Sequence, residues 1–323
     1  MGVMKVMDGN SAIAEAVKQL NPDVVVAHPI TPATPMVEKI ATFVANGQID
    51  AEIVNMESGY SAISGCIGAS AAGGRVFTAF SSQGLVSTHE LLYIASSLRL
   101  PIVAGIANRA LSAPENVFVD HSDTMAERNT GWIQIFSENP QEAYDNLIQA
   151  YKIAEHPGVR TPVMVGIDGF ATSHSLENLY IEETEAVDQF VGKFSTAFSL
   201  LDSRKPITIG SYTSSDYYFE HKFHQQQGME EARKVIKEVG RKFGDQFGRY
   251  YGFFETYKLE DADYAIVIMG SAAGTAKEAV DQLRVQGEKV GILKLRVFRP
   301  FPYQELKEAL SDITSIAVLD RSF

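Results

Sequence analysis

The sequence predicts an α/β protein built on a doubly wound parallel sheet, with a second, smaller α/β domain toward its C-terminal end. In the first half of the chain, short β-branched runs alternate with stretches of helical period. Continuous apolar strands separated by helices are typical of a parallel sheet covered on both faces. The same alternation returns after about residue 263, once a charged and aromatic stretch has interrupted it.

The predicted strands and helices of the first half alternate up to residue 104, and two helices then precede the last strand. The strands are residues 24–26, 53–54, 76–78, 102–104 and 163–165, and the helices lie near 10–20, 34–45, 59–72, 84–98, 122–130 and 140–154. The helix near 59–72 consists mostly of small residues, which let a helix approach other backbones closely. We therefore expect it to be buried against the sheet or to lie at a subunit interface.

The second half divides into a connecting segment and a short domain. We expect a first domain at 1–190, a segment at 191–262 that either packs against a partner or is a solvated connector, and a second domain at 263–323. The segment should hold one strand at 207–209 and a charged helix at 229–243. The second domain should hold strands at 264–269, 290–295 and 316–319. Its Gly-rich turn at 270–274 can bind phosphate, but without the dinucleotide spacing or the P-loop lysine a tight structural turn is favoured.

Composition excludes several classes of protein. No run of about 18 apolar residues and no basic leader followed by an apolar stretch occurs, so we expect neither a membrane span nor a secretory signal, and a cytoplasmic location. The net charge of -12 argues against binding nucleic acid or an anionic membrane, and mildly against direct docking of an acidic electron carrier. No zinc-ligand spacing and no Gly-x-Ser-x-Gly elbow is present.

A single cysteine, Cys66, limits the redox chemistry of the chain. It excludes an internal disulfide, and it excludes an iron–sulfur cluster held by this chain alone, because clusters need several thiolates. Any electron transfer would therefore use another subunit.

The most informative segment runs from His28 to Pro35, directly after the strand at 24–26. Its prolines fix φ and bar helix, so His28 and Thr31 should be held on a stiff, extended loop. A loop at the carboxyl end of a parallel strand is where an open α/β sheet binds its ligands. The alternative is a proline-rich turn that only ends the strand.

Three more segments should meet this loop at the same edge of the sheet: 55–59, 81–84 and 108–110. The last contains Arg109, and a guanidinium at such an edge suits a bidentate bond with a carboxylate. Thr31 and Arg109 together could hold a small carboxylic acid. The alternative for Arg109 is an ion pair with Asp120 or Asp123.

Several motifs give the chain a resemblance that covers nearly its whole length. They are residues 7–16, 29–32, 57–58, 82–85, 108–111, 120–123, 168–170, 298–302 and 318–321. In the order and the residues of these motifs, the sequence resembles the α subunits of the 2-oxoacid:ferredoxin oxidoreductases, and most of all those of the pyruvate branch. Relatives continue beyond the last of these motifs, so we expect the second domain to be truncated at residue 323.

The resemblance implies a thiamine diphosphate enzyme that forms acyl-CoA and CO₂ from a 2-oxoacid, or runs in reverse. This chain would supply the pyrimidine-type domain and a smaller domain like the C-terminal domain of transketolase. A β-type subunit would hold the diphosphate and Mg²⁺. [4Fe-4S] clusters on γ- and δ-type subunits would carry electrons to ferredoxin, and coenzyme A would take the acyl group. This chain would hold no metal itself.

The resemblance also assigns residues of the site. The substrate threonine and arginine fall on Thr31 and Arg109. The cofactor edge falls on Pro29, Glu57, Gly59 and the run Ser82, Gln83, Gly84. Pyruvate is the expected 2-oxoacid, with an aryl or larger 2-oxoacid as the alternative.

Two positions depart from the family pattern. Relatives usually read Glu-Ser-Glu at 57–59, and the second glutamate bonds the pyrimidine ring, but this chain has Gly59. Glu57 could take over that contact if the segment is extended, the cofactor could be activated without a carboxylate, or the ordinary chemistry could be lost. His28 replaces a frequent tyrosine, and its imidazole could bond a polar substrate, transfer a proton or fill space.

Two other functions remain open at this stage. Gly59 favours a non-catalytic assembly subunit that keeps the fold, whereas the retained Thr31 and Arg109 speak against it. A thiamine-dependent decarboxylase or transferase without electron transfer is the third hypothesis.

Overall fold

The structure is a computed structural model, and it describes residues 2–322. In chain order its elements are β1 (Val3–Met7), α1 (Gly9–Leu20), β2 (Val24–Ala27), α2 (Thr34–Ala45), β3 (Glu52–Asn55), α3 (Gly59–Ala71), β4 (Val76–Phe80), α4 (Ser82–Val86), α5 (His89–Ser97), β5 (Val103–Asn108), α6 (Ser122–Ala126), β6 (Ile133–Ser137), α7 (Pro140–Ala154), β7 (Val163–Asp168), β8 (Glu177–Ile181), α8 (Thr184–Val191), α9 (Ser215–Phe247), β9 (Phe254–Tyr257), β10 (Tyr264–Met269), α10 (Ala272–Val285), β11 (Val290–Leu295), β12 (Val297–Arg299), α11 (Tyr303–Ala309) and β13 (Ser315–Val318).

The main sheet of the described chain has seven strands in the order β12-β6-β7-β5-β4-β2-β3. Its strands are parallel except β12, which pairs antiparallel with β6. The helices α1, α2 and α7 contribute to a core on one face, and α3 and α5 to a core on the other. The predicted doubly wound α/β sheet is therefore confirmed.

The strand order reverses between β2 and β4. From β2 the chain crosses to β3 on one side, and it then returns to β4 and β5 on the other side. The helices of these two crossovers, α2 and α3, accordingly lie on opposite faces. The loops after β2 and β4 thus open a crevice at the carboxyl edge of the sheet, which is where such sheets bind ligands.

Part of the sheet was missed by the sequence reasoning. β6 is completely buried, but its sequence Ile-Gln-Ile-Phe-Ser contains polar residues that hide the apolar run. Gln134 is accommodated because its side-chain amide donates to the carbonyl of Thr124 at 2.8 Å. The antiparallel pair of β1 and β8 was also not predicted.

The predicted strand at 207–209 is wrong, because the segment is irregular and has no neighbouring strand with which to pair. Ile209 instead packs against the core under α3 and α5. The predicted helix at 229–243 is only the middle of the 33-residue α9. Its second half is buried against α7, whereas its first half exposes the aromatic residues Tyr217, Tyr218 and Phe219. The predicted helix near 84–98 is two helices, α4 and α5, and the one near 122–130 ends at Ala126.

α3 packs one face on β2 and β4. Its other face exposes Tyr60, Ser64 and Gly68. The helix is therefore buried against the sheet on one side only, and its place at a subunit interface stays a prediction.

A second sheet, in the order β13-β10-β11-β9, forms the smaller α/β unit. It is tied to the main sheet by β12 and by Asp168 at the end of β7. The carboxylate of Asp168 accepts bonds from the backbone N–H of Ser271 at 2.9 Å, from its hydroxyl at 2.6 Å, and from Arg321 at 2.9 Å. Gly270 has φ +74, and a Cβ there would lie 2.7 Å from Asp168. The Gly-rich turn thus has a structural role, while the two boundaries between the three predicted segments remain predictions.

Within residues 2–322, no helix is long and apolar enough to cross a membrane.

Candidate active site

Arg109 follows β5 directly and is only 6% exposed. Its Nη1 donates to the carbonyl of Thr31 at 2.8 Å, and its Nη2 donates to Oε1 of Gln83 at 2.8 Å. Its Nε has no partner, and no acidic side chain of the described chain pairs with it. Buried charges are normally paired. The guanidinium is therefore a buried, uncompensated donor set of the kind that binds a carboxylate.

The alternative ion pair of Arg109 with Asp120 or Asp123 is wrong. Asp123 bonds the backbone N–H of Arg109, at 3.1 Å, and does not bond its side chain. The side chain of Arg109 turns instead toward the loop after β2.

The proline-rich loop brings Thr31 to this arginine, but it is not extended throughout. Residues 31–33 form a turn, in which the N–H groups of Ala33 and Thr34 donate to the carbonyl of Ile30 at 2.8 and 3.1 Å. Pro35 lies in the first turn of α2, where its missing N–H has no helical partner to lose. The side chain of Asn10 donates to the carbonyl of Pro32 at 2.9 Å and so anchors the loop. Thr31 and Pro29 remain exposed at its surface.

Ser82 and Gln83, at the start of α4, orient Arg109. Ser82 is fully buried with φ +48, and its hydroxyl lies 2.5 Å from Oε1 of Gln83 and 2.7 Å from the carbonyl of Ala110. The side-chain amide of Gln83 donates to the hydroxyl of Ser112 at 2.6 Å. Gln83 is therefore fixed at both ends, and its oxygen holds one arm of the guanidinium.

Asp123, in α6, is the residue of this site that sequence reasoning missed as a functional residue. Its carboxylate is fully buried and accepts the backbone N–H groups of Ser82 at 2.9 Å and Thr124 at 2.8 Å, in addition to that of Arg109. Asn108 donates to it at 2.8 Å. Burial raises the pKa of Asp123 despite these bonds. The side chain of Asp123 thus fixes the ends of β4 and β5. The only indication of this role in the sequence was the position of Asp123 in the segment 120–123.

Gly59 begins α3, after Ser58 caps the helix by accepting the N–H of Ser61 at 3.1 Å. A Cβ at residue 59 would lie 2.3 Å from the carbonyl oxygen of Gly84 in α4. The helices approach so closely at this point that no side chain fits without movement of one of them.

The premise that residues 57–59 are extended is wrong, because the helix starts at Gly59. The exposed carboxylate of Glu57 accepts a bond from the hydroxyl of Ser61. This bond, with a smaller effect from the charge of His28, lowers the pKa of Glu57. His28 is half-buried, and its Nδ1 lies 3.2 Å from the carbonyl of Met56.

The sheet order places these residues relative to one another. β3 is three strands from β5, which corresponds to about 14 Å at the usual strand spacing. The structure therefore brings Thr31, Gln83 and Arg109 together on one side of the crevice. His28 and Glu57 lie together on the other side, and Glu57 does not reach Arg109.

One acidic cluster has the geometry of a metal site, but a lysine already occupies its centre. Glu138, Glu142 and Glu255 approach one another. The buried ammonium of Lys294 lies 2.6 Å from Glu138, 2.5 Å from Glu142 and 2.6 Å from Glu255, and Lys277 lies 2.9 Å from Glu138. The cluster is therefore a network of ion pairs.

A doubly wound sheet with a buried, unpaired arginine beside the point where its strand order reverses has the geometry of a ligand-binding α/β protein. Residues 15–241 match the family model described as pyruvate flavodoxin/ferredoxin oxidoreductase, thiamine diP-bdg. Residues 262–323 match pyruvate:ferredoxin oxidoreductase core domain II. The chain belongs to the pyruvate flavodoxin/ferredoxin oxidoreductase family, and the predicted family membership is confirmed.

Curated relatives are subunits of such enzymes. The chain is 50% identical to pyruvate synthase subunit PorA of Methanocaldococcus jannaschii over 99% of this chain and 82% of that protein. It is 50% identical to the PorA subunit of Thermotoga maritima over 97% and 80%. It is 46% identical to ketoisovalerate oxidoreductase subunit VorA of Pyrococcus abyssi over 99% and 81%. These names indicate that the chain is one subunit of a multi-subunit oxidoreductase.

Solved structures share the fold. A 2-oxoglutarate:ferredoxin oxidoreductase from Magnetococcus marinus, with 2-oxoglutarate, coenzyme A and succinyl-CoA bound, superposes with a TM-score of 0.79 at 19% identity. The match covers 98% of this chain but only 57% of that chain. A split gene transketolase superposes with a TM-score of 0.54 at 13% identity, over 97% and 79% of the two chains. The predicted relation to the transketolase-like α/β fold is thereby confirmed.

Proposed function

We propose that this chain is the α subunit of a thiamine diphosphate-dependent 2-oxoacid:ferredoxin oxidoreductase. The complex would convert a 2-oxoacid to acyl-CoA and CO₂, or run in reverse. The observation that carries the proposal is the buried guanidinium of Arg109, which has no acidic partner in the described chain and lies beside Thr31. Family membership and the names of the relatives support it.

In this proposal Arg109 binds the carboxylate of the 2-oxoacid, and the exposed Thr31 contacts the same substrate. Gln83 positions Arg109 through its side-chain oxygen. Pro29, Ser82, Gly84 and Gly59 border the crevice on the cofactor side. Bound on that side, thiamine diphosphate would supply a nucleophilic carbon for chemistry at the keto group of the substrate.

The structure offers a partial fit for that cofactor. The crevice at the reversal of strand order suits the pyrimidine side, but residue 59 carries no carboxylate and has no room for one. Glu57 is the remaining carboxylate at the end of β3, and we propose it as the replacement contact. Mg²⁺ and the diphosphate belong to a β-type subunit in this proposal.

The electrons leave through other subunits. Cys66 is fully buried, and burial raises the pKa of its thiol to about 12, so it is not a thiolate at neutral pH. This supports [4Fe-4S] clusters on γ- and δ-type subunits, with ferredoxin docking there. The cytoplasmic location stays a prediction.

Pyruvate is the proposed 2-oxoacid, because several of the most similar relatives are pyruvate synthase subunits. A ketoisovalerate oxidoreductase subunit at 46% identity keeps a branched or larger 2-oxoacid as the alternative. The half-buried His28 borders the site and is the residue most suited to distinguish them.

The test is an Arg109→Ala variant assayed in the purified complex. Loss of a charge-assisted bond to the substrate carboxylate should lower kcat/KM for the 2-oxoacid by about 10- to 150-fold. The KM for coenzyme A should not change. Arg204→Ala is the matched control, since Arg204 is 89% exposed and pairs only with Asp202 among the described residues. Unchanged kinetics of Arg109→Ala for every 2-oxoacid tested would show that the arginine does not bind substrate.

A second candidate function is a non-catalytic assembly subunit, and the closed space at Gly59 favours it. Thiamine diphosphate that copurifies with the complex in a one-to-one ratio to this chain, together with turnover of a 2-oxoacid, would exclude this function. A complex that assembles without the cofactor would support it.

A further inference from the structure

A second cavity lies at the opposite edge of the main sheet from the candidate active site. It has a volume of about 640 Å³, within the usual range for small-molecule sites. Pro101 and Arg160 line it just before β5 and β7 begin, and Ala71 lines it at the end of α3. All three lie at the amino ends of the parallel strands. The cavity is therefore separate from the crevice that holds Arg109.

The irregular segment near residue 200 closes one side of this cavity. The N–H of Leu200 donates to the carbonyl of Ala71 at 3.1 Å, and the hydroxyl of Ser199 donates to the carbonyl of Ala72. Phe198 and Ile209 contribute apolar wall. The cavity is thus a built feature with an apolar lining, held by backbone bonds between α3 and the segment.

Two arginines, Arg99 and Arg160, give the cavity its charge. Arg99 donates to the backbone carbonyls of Gly158, Val159 and Arg160 at 3.3, 2.6 and 3.0 Å. Arg160 donates to the carbonyl of Ser195 at 2.9 Å. Carbonyls satisfy these donors but do not carry the full negative charge of an ion-pair partner. Neither arginine forms an ion pair with any acidic side chain in residues 2–322.

Glu155 acts on Arg160 through its charge but forms its ion pair with Arg75, and burial lowers the pKa of Arg160 despite that charge. Both carboxylate oxygens of Glu155 accept bonds from Arg75, at 2.7 and 2.8 Å. Burial, together with the charge of Arg160, lowers the pKa of Arg99. Two like charges are therefore held near one another in a partly buried place.

An adjoining cavity of about 570 Å³ extends the polar lining. It shares Arg99 and Thr208 with the first cavity, and it adds Lys222, His221 and His224. Neither cavity has an acidic residue among its lining residues, although the chain carries 40 acidic residues and a net charge of -12. A cleft whose formally charged lining residues, Arg99, Arg160 and Lys222, are all cationic concentrates anions.

The backbone supports a specific role for both arginines. Arg99 has φ +58 and Arg160 has φ +41, in the left-handed region that non-glycine residues adopt at a cost. Such conformations persist where the surrounding structure fixes the backbone. Both arginines line the same cavity.

We propose that this cleft, the arginine cavity, binds a small organic anion with a phosphate or carboxylate at Arg160 and an apolar or aromatic body against Phe198 and Ile209. The guanidinium of Arg160 supplies the charge-assisted bonds, since only one of its N–H groups is engaged in the described chain. Arg99 contributes its charge and shapes the wall. The site does not depend on the proposed catalytic function.

The experiment measures binding to the purified complex by calorimetry, with coenzyme A at saturation so that its own site is occupied. AMP and 4-phenylbutyrate are the phosphate and carboxylate probes. Adenosine and 4-phenylbutanol are their neutral counterparts. At least one anion should bind at least about tenfold more tightly than its neutral counterpart. Which anion binds distinguishes a phosphate from a carboxylate ligand.

Variants locate the binding. Arg160→Gln should weaken it by about tenfold or more. Thr208→Trp, at an exposed lining position, should block it by filling the cavity while both arginines remain. Arg204→Gln removes the same charge from an exposed arginine outside the lining and should bind as the wild type does.

Three results would overturn the proposal. One is that neither anion binds at about 5 mM, a concentration at which weak specific ligands are still measurable. Another is equal affinity for the anions and their neutral counterparts. The third is wild-type affinity in both Arg160→Gln and Thr208→Trp, which would place the binding elsewhere.

Discussion

Gly59 should tolerate no side chain, although it lies at the start of a helix where alanine is intrinsically favoured. In the structure an added Cβ would lie 2.3 Å from the carbonyl oxygen of Gly84 and 3.1 Å from the hydroxyl of Ser87. Separations under 3.0 Å are essentially never adopted by real Cβ atoms. Gly59→Ala must therefore move α3 and α4 apart by at least about 0.7 Å, the difference between the 2.3 Å separation and the 3.0 Å limit.

α4 cannot move freely, which sets the magnitude. Ser82 at its start is bonded to Asp123 and to the carbonyl of Ala110, and Gln83 is bonded to Arg109. Forcing such a tethered contact should cost about 1–3 kcal/mol, as overpacking does in other cores. For a domain of this size that corresponds to a fall in Tm of roughly 2–4 °C per kcal/mol.

Thermal unfolding of the complex at one scan rate measures the effect. Gly68→Ala is the matched control: Gly68 lies in the same helix, and a Cβ there meets nothing within 4 Å. That control should gain about 0.5–1 kcal/mol, because alanine is the better helix former. If Gly59→Ala were as stable as Gly68→Ala, the close approach of α3 and α4 would be refuted, and a glutamate at residue 59 would be sterically possible.

Three further predictions concern single carboxylates. Asp123→Asn should destabilise the protein by about 1–3 kcal/mol, because the buried N–H groups of Ser82 and Arg109 lose a charged acceptor. It should also raise the KM for the 2-oxoacid more than the KM for coenzyme A. Equal changes in both KM values would show that Asp123 has a structural role only. Glu57→Gln should slow exchange of the C2 proton of bound thiamine diphosphate, by tenfold or more if Glu57 replaces the missing contact, and an unchanged exchange rate would eliminate that role. Burial acts to raise the pKa of Asp168, but the hydrogen bond and charge of His121, together with two hydrogen bonds from Ser271, outweigh it and lower the pKa below its ordinary 3.8. The contribution of Asp168 to stability is therefore present above about pH 4 and is lost as the pH falls through the lowered value. Asp168→Asn should accordingly flatten the fall in unfolding free energy below pH 4, and a profile parallel to that of the wild type would contradict this.

The sheet could be predicted from the sequence where its strands are pure apolar runs. Residues 24–27 and 163–167 are of this kind, and buried parallel strands are typically built from such runs. β6 could not be found, because the polar side chain of Gln134 is satisfied only by the distant carbonyl of Thr124. The apolar residues at 207–209 misled for the opposite reason: they cover a cavity and pair with no strand. An apolar run in the sequence indicates that a segment is buried, but it does not indicate whether a neighbouring strand is present to pair with it.

The sequence predicted which strand ends meet at the site, but it did not predict the hydrogen bonds that join them. Position after a strand was enough to gather Thr31, Gln83 and Arg109 at one edge. That Asp123 holds the backbone of two of these segments depends on where α6 packs, and no short-range pattern encodes that. The expectation that Glu57 and Gly59 share one face failed because Ser58 acts as a helix cap, a role that its position before Gly59 permits but does not require.

The helix α4 links the closed space at residue 59 to the position of Arg109. At its middle, the carbonyl of Gly84 fills the space that a side chain at residue 59 would need. At its start, the side chain of Gln83 holds the guanidinium of Arg109 at 2.8 Å. A carboxylate placed at residue 59 would push α4 away and shift the arginine with it. The residue facing the cofactor and the geometry of the proposed substrate clamp are therefore coupled, so a Gly59→Glu change alone should impair substrate binding unless α4 is altered as well.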